Sequence, residues 1–143
     1  MPIKITDNGR LIALILRKDF TQPGVNFFTE SSSSLQVGML NHPKSTKIDA
    51  HTHQVHPRTI ENTQEVLFLR RGRMRVDFYT DQQQYLESVI MGAGDVLVLV
   101  SGGHGFEALE DIDMIEVKTG PYMGAKDKIR FQPNLPDKLT IRD

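Results

Sequence analysis

Cysteine is absent from the chain. Its absence excludes disulfide bonds, thiolate metal sites and a cysteine nucleophile. A chain without disulfides suits a reducing compartment, so the sequence favours a cytoplasmic protein.

Long apolar runs and a strong charge of one sign are also missing. A membrane-spanning helix needs about 20 apolar residues, and the apolar run 11–16 is bounded by Arg10 and Arg17. We therefore expect no membrane span. The net charge is −1, which does not favour binding to nucleic acid or to an anionic membrane. The 143 residues, 38% of them hydrophobic, predict one globular domain over residues 1–143.

Several catalytic and nucleotide-binding motifs are not found. The chain contains no G-x-S-x-G nucleophile elbow. Its glycine-rich stretch "SGGHG" lacks the lysine and hydroxyl of a phosphate-binding loop, and no G-x-G-x-x-G opens a helix.

Glycine and other turn residues divide the chain into about ten segments of strand length at roughly 8–12-residue spacing. Asn8-Gly9, between two apolar runs, is a strong hairpin signal. Gly72 is predicted to close another hairpin. No convincing amphipathic helix interrupts the pattern, so we predict an antiparallel sandwich or barrel. The predicted strands are 3–6, 11–17, 25–29, 35–40, 47–54, 65–70, 73–80, 85–91, 96–100, 104–109 and 114–118, and residues 128–131 could add to a sheet edge.

The stretch "HTHQVHPRTIENTQEVLFLRRG" carries the main chemical signal. In a strand over 47–54, His51 and His53 would project from the same face, and two imidazoles so placed can bind one metal ion. Glu65 on the next strand and His104 after a glycine-rich turn can supply further ligands. The alternative is that the His-x-His pair lies on a solvated strand without function. His42 and His56, each before a proline, are predicted at the surface.

These motifs resemble the cupin superfamily, the small RmlC-like jelly rolls. The "HTH" of 51–53 and the six residues between Glu65 and Gly72 resemble the first cupin motif, and "GDVLVLVSGGHGF", from Gly94 to Phe106, resembles the second. The resemblance covers about residues 35–118. Eleven residues separate His53 from Glu65, where cupins have three or four. Glu61 is therefore a rival for the carboxylate role, and the second motif is one residue short.

The resemblance implies a double-stranded β-helix, the cupin jelly-roll barrel of about ten antiparallel strands. It also implies a divalent metal ion held by His51, His53, Glu65 and His104. Three nitrogens and one oxygen suit Fe, Mn, Ni, Zn or Cu. Such a protein would bind or act on a small polar, carbohydrate-related ligand; whether it is an enzyme is left open.

Two alternatives to the metal hypothesis remain. One is a cupin that binds a ligand without catalysis. The other is a metal-free sugar epimerase or ketoisomerase, with His53 and either Tyr79 or Tyr122 as the acid/base pair. For substrate binding we single out Arg58, near the proposed pocket, and Tyr122, after a Gly-Pro turn. Cupin-type barrels often pair through N-terminal strands, so the apolar run 11–16 predicts a homodimer.

Overall fold

The computed structural model describes all 143 residues and is all-β, with 42% of the chain in strands and 2% in helix. The chain divides into two compact units: residues 1–20 with 63–143, and residues 21–62. We call them the larger and the smaller unit. The only helix is a single 3-10 turn at Gly124–Lys126, and no helix has the length and apolar character needed to cross a bilayer.

The larger unit contains a five-stranded and a four-stranded sheet. Its strands are β1 (Ile3–Asp7), β2 (Arg10–Leu16), β5 (Glu65–Arg71), β6 (Arg73–Tyr79), β7 (Tyr85–Gly92), β8 (Val96–Leu99), β9 (Gly103–Ala108), β10 (Asp113–Lys118) and β11 (Ile141–Arg142). The first sheet has the order β1-β2-β8-β5-β10 and the second the order β11-β7-β6-β9. All pairings are antiparallel except that of β11 with β7.

The smaller unit contains one two-stranded antiparallel sheet. It is formed by β3 (Gly24–Phe27) and β4 (Gly38–Asn41). Both strands were expected, although β4 begins later than the predicted segment 35–40. Residues 42–62 hold no strand, so the strand predicted over 47–54 is wrong. Ile48 and Ala50 are the only apolar residues in that segment, and Ile48 is exposed. The segment therefore has no apolar face whose burial would favour pairing into a sheet.

The core of the larger unit lies between its two sheets. The inward-facing side chains come from both sheets, and every member of the cluster is buried. They are Ile5, Ile12, Ala13, Ile15, Leu67, Leu69, Leu97 and Leu99 from one sheet, and Met74, Val76, Phe78, Val89 and Met91 from the other. Ile12, Ala13 and Ile15 of the apolar run that suggested an interface belong to this core, and the homodimer stays a prediction.

Of the two predicted hairpins, the one at Asn8-Gly9 is present and the one at Gly72 is not. Asn8 and Gly9 have φ of 48° and 81°, as a type I′ turn requires, and β1 pairs with β2. Gly72 does not close a hairpin, because β5 and β6 lie in different sheets. Gly72 has φ of 84°, and a β-carbon there would overlap the carbonyl oxygen of Asp111. Glycine is thus needed where the chain passes between the sheets.

The second crossing between the sheets, from β7 to β8, is closed by a buried carboxylate. Asp95 is 5% exposed. Its Oδ2 accepts hydrogen bonds from Arg17 Nη1 at 2.8 Å and from the Gly92 amide at 3.0 Å, and its Oδ1 accepts one from the Lys18 amide at 3.0 Å. This carboxylate joins the end of β2 to the turn before β8. It gives the "GD" of the sequence a structural role.

Replacing Asp95 by alanine should lower the free energy of unfolding by about 3 kcal/mol, because Arg17 and two amides lose a buried partner. Chemical denaturation followed by circular dichroism measures the change. The exposed neighbour Asp19 is the matched control, and Asp19→Ala should change stability by less than about 0.5 kcal/mol. Equal effects of the two variants would show that the carboxylate does not join these elements.

Candidate functional site

Glu65 is the first residue of β5 and lies at one end of the core face. Side chains alternate along a strand, so Glu65 shares a face with Leu67 and Leu69, which belong to the core. Glu65 is 7% exposed. A buried carboxylate needs a polar partner to offset its lost hydration.

The partner is His104, on the edge strand of the opposite sheet. In the β6–β9 register, His104 lies opposite Phe78, and Phe106 lies opposite Val76. Phe78 and Val76 are core residues, so both β9 side chains are on the inward face. The rings of His104 and Phe106 stack with centroids 5.4 Å apart and an interplanar angle of 26°. This stacking supports the imidazole on one side.

The two side chains meet where the ends of the sheets come together. Nε2 of His104 lies 3.3 Å from Oε2 of Glu65. The hydrogen bond from His104 lowers the pKa of Glu65; burial opposes that shift, and the charges of His104, Lys128 and Lys118 lower the pKa further. Glu65 is therefore ionised at neutral pH.

A carboxylate hydrogen-bonded to an imidazole can do several kinds of chemistry. The carboxylate fixes the orientation of the ring, as in catalytic acid/base pairs. Both groups can bind a polar ligand, and both are metal-ligand types. The geometry of the pair is compatible with each of these roles.

The other two predicted metal ligands lie in the smaller unit. His51 and His53 are exposed, outside any strand, with ring centroids 5.3 Å apart and an interplanar angle of 69°. Nδ1 of His51 lies 2.7 Å from the carbonyl oxygen of Asp49. The two imidazoles are neighbours, as the sequence predicted, although no strand positions them.

No group of three or more histidine or acidic side chains is arranged to hold a metal ion. The predicted set of four is represented by two pairs, one in each unit: Glu65 with His104, and His51 with His53. Neither pair alone completes the coordination of a divalent ion. The four-ligand site stays a prediction.

The residues proposed for substrate binding or acid/base chemistry have different surroundings. Arg58 is exposed, in an irregular part of the smaller unit. Tyr122 is 88% exposed and lines a cavity of the larger unit. Tyr79 is buried, packs edge-on against Phe131 with ring centroids 5.1 Å apart, and has a pKa raised mainly by burial. Burial of this kind is typical of a core tyrosine.

The sequence analysis did not identify the cationic residues that surround Tyr122. Lys118, Lys128 and Arg130 line the same cavity of about 250 Å³. Lys118 is also the pairing partner of Glu65 between β10 and β5, so the cavity begins next to the Glu65–His104 pair. Four cations within thirteen positions, these three and Lys126, were the available signal, but no strand pattern placed residues 119–130 near β5.

Comparison with known proteins gives no relative. No family model, no curated protein and no solved structure matches the chain.

Replacing His104 by phenylalanine should raise the pKa of Glu65, because the stacking ring is kept while the hydrogen bond is lost and burial then dominates. In the native protein, the lowered pKa contributes stability above the unfolded-state pKa of this carboxyl. That contribution is lost as the pH falls through the folded-state value. An NMR titration of the carboxyl carbon, with chelator present, measures the shift. His42→Phe, at an exposed position outside any strand, should leave the Glu65 titration unchanged. An unchanged titration in His104→Phe would contradict the assignment.

Proposed function

We propose that this chain is a cupin-like protein that binds a small polar, carbohydrate-related molecule at the Glu65–His104 pair. The observation that carries the proposal is this buried carboxylate held against an imidazole 3.3 Å away. Such a pair offers an acceptor and a donor beside an apolar core, the composition typical of small-molecule sites.

The path of the chain supports the cupin resemblance. From β5 to β10, the successive strands lie in alternate sheets except for the β6–β7 hairpin. Parts of the two motif segments meet in this region, since Glu65 belongs to the first motif, His104 belongs to the second, and the two side chains are in contact. A jelly-roll barrel would place polar residues from these strands in one pocket.

A panel of neutral sugars and one sugar phosphate tests the proposal. We expect glucose, ribose or glucose 1-phosphate to shift the NMR signals of the His104 ring and to raise the melting temperature, since binding stabilises the folded state. The double variant Glu65→Gln/His104→Phe should lose both responses.

His42→Phe is the control for that panel and should respond like the native protein. The proposal fails if no member of the panel moves the His104 signals. It also fails if the double variant responds as strongly as the native protein while remaining folded by circular dichroism.

A divalent metal ion is the second candidate ligand. It is favoured by two pairs of metal-ligand side chains, Glu65 in contact with His104 and His51 in contact with His53. When bound, such an ion supplies Lewis-acid chemistry to a substrate oxygen. Glu65 would contribute its negative charge, and the imidazoles would contribute neutral nitrogen donors.

Elemental analysis of purified protein can assign the metal ligands pair by pair. If all four residues bind one ion, His51→Ala/His53→Ala and Glu65→Gln/His104→Phe should each reduce the metal content to near zero. Loss in only one double variant would locate the ion at that pair alone. His42→Ala is the control and should retain the native content. Equal metal in all variants would contradict the hypothesis.

A further inference from the structure

Three cationic side chains line one depression in the larger unit. The cavity of about 250 Å³ is bordered by the end of β10 and by the chain that follows it. Its polar lining consists of Lys118, Thr119, Tyr122, Asp127, Lys128 and Arg130. This volume lies below the range of about 300–1,000 Å³ typical of drug-sized ligands, so its occupant should be small.

The charges around the cavity are unbalanced. Three cationic side chains face one carboxylate, that of Asp127. Asp127 Oδ1 already accepts a hydrogen bond from the Thr63 hydroxyl, whereas Lys128 and Arg130 form no salt bridge. Lys128 and Arg130 thus lack a salt-bridge partner, whereas Lys118 lies near Glu116 and, like Lys128, interacts electrostatically with Glu65. Within the cavity lining, three cations still face one carboxylate, and an anionic ligand would relieve the mutual repulsion of the cations.

Lys118 is held in place at the cavity wall. Its ammonium nitrogen lies 6.0 Å from the centre of the Tyr122 ring and 3.8 Å from Oε1 of Glu116. Its side chain is only partly exposed. A cation over an aromatic face is attracted by the ring. The Tyr122 ring and the Glu116 carboxylate are thus two neighbours that attract the Lys118 ammonium group.

We propose that this cavity binds the phosphate group of a small phosphorylated molecule, with Lys118, Lys128 and Arg130 as its cationic ligands. A guanidinium presents paired donors that match a phosphate, and the two ammonium groups add charge-assisted hydrogen bonds. The inference deepens the proposed function by naming a substrate class. It relies on that function only for the adjacent Glu65–His104 pair.

The experiment uses inorganic phosphate as the probe, with chelator present and at low ionic strength. NMR titration should show shifts at Lys118, Tyr122, Lys128 and Arg130 with a Kd on the order of 1 mM. The double variant Lys128→Gln/Arg130→Gln should weaken binding at least about tenfold. Raising the salt concentration should weaken the native protein's binding as well.

Lys44→Gln/Arg71→Gln is the matched control. It removes the same two kinds of charge from exposed positions outside the cavity lining and should bind phosphate like the native protein. The inference is overturned if the control loses as much affinity as the cavity variant, or if phosphate shifts no cavity signal.

The phosphate experiment and the sugar panel test the two proposals independently, so either proposal can be contradicted while the other is supported. Neutral sugars that move His104 while phosphate leaves the cavity unchanged would overturn the phosphate site and support the proposed function. Phosphate shifts at the cavity with no sugar response at His104 would support the phosphate site and contradict the proposed function.

Discussion

The fold of the larger unit depends on a chain that repeatedly leaves one sheet for the other. Between β5 and β10, only β6 and β7 form a hairpin. Each other connection must turn the chain across the edge of the core without leaving buried backbone groups unpaired. Gly72 and Asp95 meet this requirement in different ways: Gly72 has the backbone freedom that the crossing needs, and Asp95 satisfies the donors that the other crossing exposes.

The candidate site follows from the same crossings. Glu65 and His104 are 39 positions apart in the sequence and belong to opposite sheets. They meet because Glu65 is the first residue of β5 and His104 the second residue of β9, and the inward faces of both strands contribute to, or extend, the shared core. Apolar side chains fill the middle of that core, so its ends are where polar side chains can be buried at a tolerable desolvation cost. The hydrogen bond between the two side chains reduces that cost.

Local patterns were sufficient to predict the all-β class and most strands. Alternation in β6 and the continuous apolar run in β8 gave the correct elements, because β8 lies between β2 and β5 inside a sheet. The hairpin predicted at Gly72 was wrong because a glycine turn looks the same whether the chain returns in one sheet or crosses to another. The strand over 47–54 was wrong because a histidine repeat has the strand period without an apolar face.

Features that depend on contacts between distant parts of the chain could not be predicted from local sequence patterns. Two residues of β11 pair in parallel with β7, and so short a strand leaves no periodic signal. The neighbouring imidazoles of His51 and His53 were predicted, and the contact between Glu65 and His104 agrees with the two motifs. The basic cavity was missed because most of its wall comes from residues 119–130, which form no strand and only one 3-10 turn, and the position of this segment depends on tertiary contacts.

The chain segment that forms the cavity wall, and the residues after it, contact the rest of the larger unit at several points. Thr63 holds Asp127, the Phe131 ring packs against Tyr79 and lies near Gly103, and Ile141–Arg142 join the sheet edge. A wall tethered on both sides of Lys128 and Arg130 has already lost much of its conformational freedom during folding. A ligand entering the cavity therefore has little backbone left to immobilise, and more of its attraction to these cations is retained as affinity.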